Sequence, residues 1–414
     1  MTRLAKNKTY SVPEAAFEST FSKKTQIYVA ATFVLSAMSL ELQLGGAPSS
    51  LGNVFVGAFA ILLIAYKFYI GRSKSSSKND KLMIFDFAYL TYCTYTLITF
   101  YWSVSPFITI IASLSPILLW LCTYEIRGIS TEKFVNATLL LCFIVAILSL
   151  ASILVDRSFA FQPRSSTGGN ELRGIFKHQL RLGAFMASGI CVFVIALLNK
   201  HSINVFRNKF FLTFAVIVIA ICLIMANARL YTVCAALSLL ITFLLYGWGE
   251  GRFVRLYIIV GILLLVVPFF GTFLTYIDQS GFDTSLSGRD LVWNRTSSAI
   301  VDESRLLGYG YGTFDTPYFD YLFRGNYRPA HAHNSFLQAL FETGIIGLSL
   351  VCILIVLQIK GAWSRLRSNG KYSYALFFIV YNVLSSLFGL NYAGAISLNF
   401  ALMLAFLSLE CRKR

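Results

Sequence analysis

The chain has 414 residues, of which 57% are hydrophobic and 13% charged, and its formal net charge is +16. With a mean hydropathy of +0.68, this composition excludes an ordinary soluble domain, where about a quarter of residues carry charge. It is the composition of an integral membrane protein, and no nucleic-acid partner is expected.

A helix needs about 20 apolar residues to cross the hydrocarbon of a bilayer. That window selects twelve spans: 27–44, 54–70, 82–101, 106–124, 134–155, 183–199, 210–227, 230–247, 253–277, 335–359, 374–390 and 394–410. No small-residue cleavage site follows the first, which reads as a retained span rather than a removable leader. Period-two alternation is absent, which argues against an outer-membrane barrel. The eight cysteines lie within or beside the spans and read as small buried hydrophobes, without disulfides or metal thiolates.

Short cytoplasmic loops retain Lys and Arg. With the N-terminus inside, the tail carries Arg3, Lys6, Lys8, Lys23 and Lys24, and segment 71–81 carries Arg72, Lys74, Lys78 and Lys81. The outer connections 45–53, 102–105 and 391–393 carry no cation. The expected organisation is therefore an all-α polytopic membrane protein with both termini cytoplasmic. It comprises a basic tail (1–26), helices one to nine (27–277), a long outer loop with an amphipathic helix (278–334), and helices ten to twelve with a short C-terminus (335–414).

Eleven basic residues nevertheless fall on the outer side, ten of them arginine. Arg157, Arg164, Arg173, Lys177 and Arg181 lie in 156–182, and Arg229 occupies a tight turn between two spans. Arg289, Arg295, Arg305, Arg324 and Arg328 lie in 278–334. Pairing with the acids of the long loop is one account of them. An anion site is the other, and it is favoured because 156–182 offers only Asp156 and Glu171. Arginine stays charged and binds phosphate through two parallel hydrogen bonds. Arg229 stands out because a cation near hydrocarbon is costly unless paired or hydrated; snorkelling to the interface is the alternative.

A structureless segment as long as 278–334 is improbable unless it is functional. Leu291, Trp293, Ile300 and Val301 predict an apolar stripe on a helix from about Asp290 to Leu306, ended by Gly308, Gly310 and Gly312. The glycine run lacks the lysine and the strand-to-helix context of a nucleotide loop. Next comes PAHAHNSFLQALFETGIIG (329–347), with His331, His333 and Asn334 at the mouth of an apolar run. An imidazole suits a general base near neutral pH. A helix cap shared with Asn334, or a metal site with His331, are the alternatives, the second lacking an obvious completing ligand. Gly344 and Gly347 are expected on one helix face, letting a neighbouring helix approach. Glu342 is expected to be half-buried, as a packing carboxylate or a second acid–base group.

His333-Asn334, nine residues, Gly344, two residues and Gly347 resemble the signature of the lipid-linked O-antigen ligase and polysaccharide polymerase superfamily. SGRDLVW…LLGYGYGTF (287–314) is similar to that superfamily's outer loop, and RGIFKHQLRLGAFMA (173–187) to a segment of its exopolysaccharide polymerase branch. That branch reads His-Lys-Asn where this chain has His178-Gln179-Leu180, and Arg181 is the cation that could stand in.

The resemblance implies a GT-C-like membrane glycan transferase, metal-independent and inverting, without a cofactor, in a bacterial inner membrane. Its donor would be a saccharide on undecaprenyl pyrophosphate. Its acceptor would be a lipid-linked repeat unit for a polymerase, which the motifs favour, or lipid A-core for a ligase, with a chain-length regulator as a candidate partner. A lipid-linked oligosaccharide flippase is the non-enzymatic alternative. Breaking an anomeric pyrophosphate bond needs charge stabilisation, for which Arg289, Arg229, Arg173 and Arg181 are candidates. A sugar hydroxyl is a poor nucleophile and needs a base, for which His333 is the candidate, with His331, Asn334 and His178 in support.

Overall fold

A computed structural model describes residues 23–39, 84–163, 170–204, 206, 208–245, 289–302, 306–323, 329–369, 371–389, 392 and 397–411. The spans expected at 54–70 and 253–277 lie outside the described residues, as do Arg164, Arg305, Arg324 and Arg328. Among the described residues the protein is built from helices. In chain order they are α1 (Lys23–Ser39), α2 (Ile84–Ile98), α3 (Pro106–Glu125), α4 (Thr131–Val155), α5 (Gln179–Leu198), α6 (Lys209–Ala226), α7 (Arg229–Leu245), α8 (Arg289–Asp302), α9 (Ser335–Asn369), α10 (Tyr374–Ser386) and α11 (Leu398–Glu410). Five stretches, 106–128, 131–155, 179–198, 209–226 and 335–364, are long and apolar enough to cross a membrane; α7, α10 and α11 are shorter apolar helices. One small ribbon departs from the all-helical expectation: β1 (Phe161–Pro163) pairs antiparallel with β2 (Asn170–Leu172), Gln162 opposite Glu171.

The helices start where side chains can satisfy their first amides. Ser130 accepts from Lys133 N, Asn208 from Phe210 N, Ser373 from Leu376 N and Ser397 from Phe400 N. Helix α6 shows how the chain meets its surroundings. Phe210, Phe214, Ile217, Ile221 and Ile224 form an exposed stripe, while Ala215, Ile219, Cys222 and Ala226 face inward. Large residues outside and small ones inside suit a lipid-facing helix, where close helix approach rather than water exclusion drives packing. Six of the cysteines are buried in the same way, whereas Cys352 is exposed and Cys411 partly so; all eight are free.

Hydrogen bonds between distant segments sort to two ends of the bundle. At one end, Lys133 Nζ donates to Gln26 (3.1 Å), Asn136 to Ser202 O (2.9 Å), Asn199 to Tyr372 O (2.8 Å) and Tyr374 N to Glu410 (2.8 Å). A buried ion pair joins Arg127 to Asp86 at that end, and removing one partner of such a pair costs about 3–5 kcal/mol. At the other end, Tyr311 N donates to Thr99 Oγ1 (3.1 Å), Val104 N to Tyr309 O (2.9 Å), Asn227 to Glu171 (2.8 Å) and Ser335 Oγ to Gly389 O (3.0 Å). From α2 to α7, and again from α9 to α11, consecutive helices thus run back and forth.

The second end carries its own small core. Val292, Ala299, Tyr309, Phe314, Phe319, Phe323, Ala332 and Phe341 are buried together, with Tyr309 and Phe319 rings 4.6 and 4.7 Å from that of Phe341. Two expectations are corrected here. Helix α8 buries Val292, Thr296 and Ala299, at i, i+4 and i+7; of the expected stripe Trp293 and Ile300 are half-buried, whereas Leu291 and Val301 are exposed. Gly344 does not sit on a regular helix face. At φ 66° and ψ −167° it breaks α9, in a conformation open essentially to glycine alone.

The glycine-rich loop docks onto that break. Tyr309 N and Gly310 N donate to the Phe341 and Glu342 carbonyls at 3.0 and 2.8 Å, and Tyr95 Oη donates to Thr343 O at 3.0 Å. Carbonyls that lose their helical partners at the kink are thereby satisfied, as buried backbone requires.

Candidate functional site

Three segments meet at this second end: the β1–β2 ribbon with the start of α5, the start of α8, and the turn 329–334 leading into α9. Each is held by specific contacts. The ribbon is tied down by Arg173, whose Nε and Nη2 donate to Phe159 O (2.9 Å) and Ser158 O (3.3 Å). The turn is fixed by Trp293 Nε1, donating to Ala332 O at 2.9 Å, and by Gln338, which accepts from Ala332 N at 2.7 Å. Asn334 caps α9, its Oδ1 accepting from Phe336 N (2.9 Å) and Leu337 N (3.0 Å). The cap role considered for His333 therefore belongs to Asn334.

His333 precedes that cap at φ 52°, a left-handed conformation uncommon for a residue with a Cβ. It stands edge-on to His331, ring centroids 4.2 Å apart, and its own amide donates to His331 Nδ1 at 3.1 Å. Burial, then the charges of Arg289 and His178, push the His333 pKa down to about 4. His331 is pushed to about 3 by burial, His333, Arg181, Arg289 and His178. His178, which caps α5 through Nδ1 and Leu180 N at 3.2 Å, is pushed to about 4 by burial and Arg181, with Glu171 opposing. These mutual influences bring His178, Arg181, Arg289, His331 and His333 into one cluster, although the first two lie more than a hundred residues from the others in the chain.

Arg229 reaches the cluster by a different route. Its Nε donates to Asn227 Oδ1 (3.0 Å), Asn227 Nδ2 donates to Glu171 Oε1 (2.8 Å), and Gln179 Nε2 donates to Glu171 Oε2 (2.7 Å). Arg229 is exposed. Asn227 makes the tight turn before it, at φ 49°. The chain order hid this relay, because Glu171 and Asn227 are 56 residues apart and no local pattern links them.

Glu342 is fully buried rather than half-buried. Its Oε1 accepts from Gln338 Nε2 (2.6 Å) and Phe314 N (3.4 Å), so it joins the turn, the aromatic core and α9. Among the described residues no group of three or more His, Cys, Asp or Glu is placed to hold a metal ion.

The cluster can hold an anion between arginines, with imidazoles beside it, at one end of an apolar bundle. Comparison with known proteins gives two partial matches. Residues 214–352 match the O-antigen ligase family. The chain is also 32% identical over 98 residues to the exopolysaccharide production protein ExoQ of Rhizobium meliloti (strain 1021), an alignment spanning 22% of this chain and 22% of that protein's length. Both findings are likenesses over part of the chain, and they support the resemblance to the O-antigen ligase and polysaccharide polymerase superfamily.

Proposed function

We propose that this protein is an inner-membrane glycan transferase working at the periplasmic face. Its donor is a saccharide on undecaprenyl pyrophosphate and its acceptor another lipid-linked repeat, which makes it a polysaccharide polymerase. The observation that carries this reading is the gathering of Arg181 and Arg289 around three histidines at one end of the bundle. A lipid-anchored pyrophosphate must lie at that level.

His333 takes the proton of the acceptor hydroxyl as the oxygen attacks the anomeric carbon. The C–O bond to pyrophosphate breaks on the opposite side, inverting that carbon. Arg289, with Arg181, Arg173 and Arg229, receives the charge that develops on the departing pyrophosphate, as fixed cations that need no reorganisation. Arginine supplies this charge without a divalent metal. Without substrate, burial and cations keep His333 neutral. A bound pyrophosphate offsets those cations, raising the His333 pKa towards neutrality and strengthening the base when the donor is in place.

The match to the O-antigen ligase family favours a second reading, transfer to lipid A-core by the same machinery. Transport fits less well, since transporters bind near the midplane between repeated halves and these charges stand at one end. A chain-length regulator is a candidate partner under the first reading. Reconstitution with defined lipid-linked repeats, with and without lipid A-core, tests the proposal. A ladder from repeats alone supports the polymerase; a single adduct on core supports the ligase. No product from either would refute glycan transfer.

A further inference from the structure

His178 and His331 use the same local device, in segments far apart in the chain. In each, the ring Nδ1 accepts the amide two residues ahead: Leu180 N at 3.2 Å for His178, and His333 N at 3.1 Å for His331. A neutral imidazole whose Nδ1 accepts carries its proton on Nε2. Burial and the neighbouring arginines hold both rings well below the usual histidine range, so the neutral form is resident near pH 7. Each ring is thereby fixed as an Nε2–H donor pointing away from its own backbone.

Neither donor has an acceptor among the described residues. Glu171, the acid acting on His178, has its two carboxylate oxygens engaged by Asn227 and Gln179. The groups acting on His331 are His333, Arg181, Arg289 and His178, and those acting on His178 are Arg181, Glu171 and Arg173. Two unfilled, half-buried N–H groups among arginines disfavour a cationic ligand and suit an anion with acceptor oxygens. By contrast, no hydrogen bond fixes the tautomer of the His333 ring among the described residues, which leaves it free to accept a proton.

We propose that His178 and His331 are uncharged hydrogen-bond donors to the diphosphate oxygens of the lipid-linked substrate, and that His333 alone among the three exchanges a proton. This rests on the reading of the site as a prenyl-pyrophosphate site. A neutral donor orients an oxygen by direction as well as distance. It does so without deepening the cationic field, which would otherwise retain the pyrophosphate product.

The test is binding of undecaprenyl pyrophosphate to the full-length protein in nanodiscs, comparing wild type with His178→Ala, His178→Gln, His331→Ala and His331→Gln. Glutamine places an N–H near the Nε2 position and cannot titrate in this range. Each alanine variant is expected to bind roughly 10- to 100-fold more weakly, the value of a hydrogen bond to a charged group, and each glutamine variant to remain within about threefold of wild type. Glutamine variants as weak as alanine, or alanine variants at wild-type affinity, overturn the donor assignment. Wild type that fails to bind this lipid refutes the underlying reading instead, which separates the two failures. Should an alanine variant not fold, ¹⁵N-histidine spectra of the wild type decide, with only four rings to assign. Nε2–H tautomers at His178 and His331 between pH 6 and 8 support the proposal, and an Nδ1–H tautomer at either overturns it.

Discussion

Ile345 N donates to the carbonyl oxygen of Leu306 at 3.0 Å, across the break that Gly344 makes in α9. The glycine-rich loop is thus stitched to α9 by backbone hydrogen bonds on both sides of Gly344, beside the Tyr309–Phe341 ring contact. A Cβ on Gly344 would collide with Leu306 O, and one on Gly308 would meet the Glu342 carbonyl. Gly344→Ala should cost about 1–3 kcal/mol in backbone strain alone, plus the lost seam. It should lower the Tm in detergent and reduce transfer, whereas Gly361→Ala, whose Cβ would meet Cys411 Sγ at 3.4 Å in ordinary van der Waals contact, should leave both unchanged. An unaltered Tm for Gly344→Ala would contradict the docked loop.

Stability should depend on acid in a defined direction. His178, His331 and His333 all have folded pKa values below the ordinary histidine value, at about 4, 3 and 4. The unfolded chain therefore binds more protons between about pH 6.5 and these values, and their contribution, complete above pH 6.5, is lost as pH falls through that window. Tm measured from pH 7.5 to 4.5 should fall, and fall less in the His178→Gln and His331→Gln variants. A profile identical in wild type and both variants would refute the perturbed histidines.

The two-ended sorting of hydrogen bonds gives a topology test. Ser158 and Ser298 are exposed at the end that carries the cluster, and Ser202 at the opposite end. In spheroplasts, an impermeant thiol reagent should label Ser158→Cys and Ser298→Cys and spare Ser202→Cys. The reverse pattern would place the cluster in the cytoplasm.

Charge supplied by arginine makes a further expectation simple. Turnover should persist in excess EDTA. Loss of turnover that zinc or magnesium restores would instead assign His331 and His333 to a metal.

Much of the helical frame was legible because a membrane span is long and one-dimensional: α3, α4, α6 and α9 begin within about three residues of their expected starts. The arginines of the cluster drew notice for a related reason, since cations expected on the outer side depart from the charge rule. What stayed hidden depends on contacts across the chain. Gly344 reads as an ordinary small residue in a helix until the loop at 306–310 is seen bonding to its neighbours Phe341, Glu342 and Ile345. The buried face of α8 centres on Val292, Thr296 and Ala299 because the aromatic core beneath it comes from 309–341, not from its own sequence. Nothing local marks Glu171 as the acid that Asn227 links to Arg229. Nor does composition encode the two amide contacts at His178 and His331.

The most direct measurement compares His333→Ala with Arg289→Ala and Arg289→Lys in one reconstituted transfer assay, alongside donor-binding measurements on the same membranes. If His333 is the base and Arg289 holds pyrophosphate, His333→Ala should lose about 10²–10⁴ in rate while binding donor normally. Arg289→Ala should weaken both binding and transfer, and lysine should rescue it poorly, because a point charge does not reproduce a two-pronged contact. A folded His333→Ala protein with wild-type turnover would contradict the account.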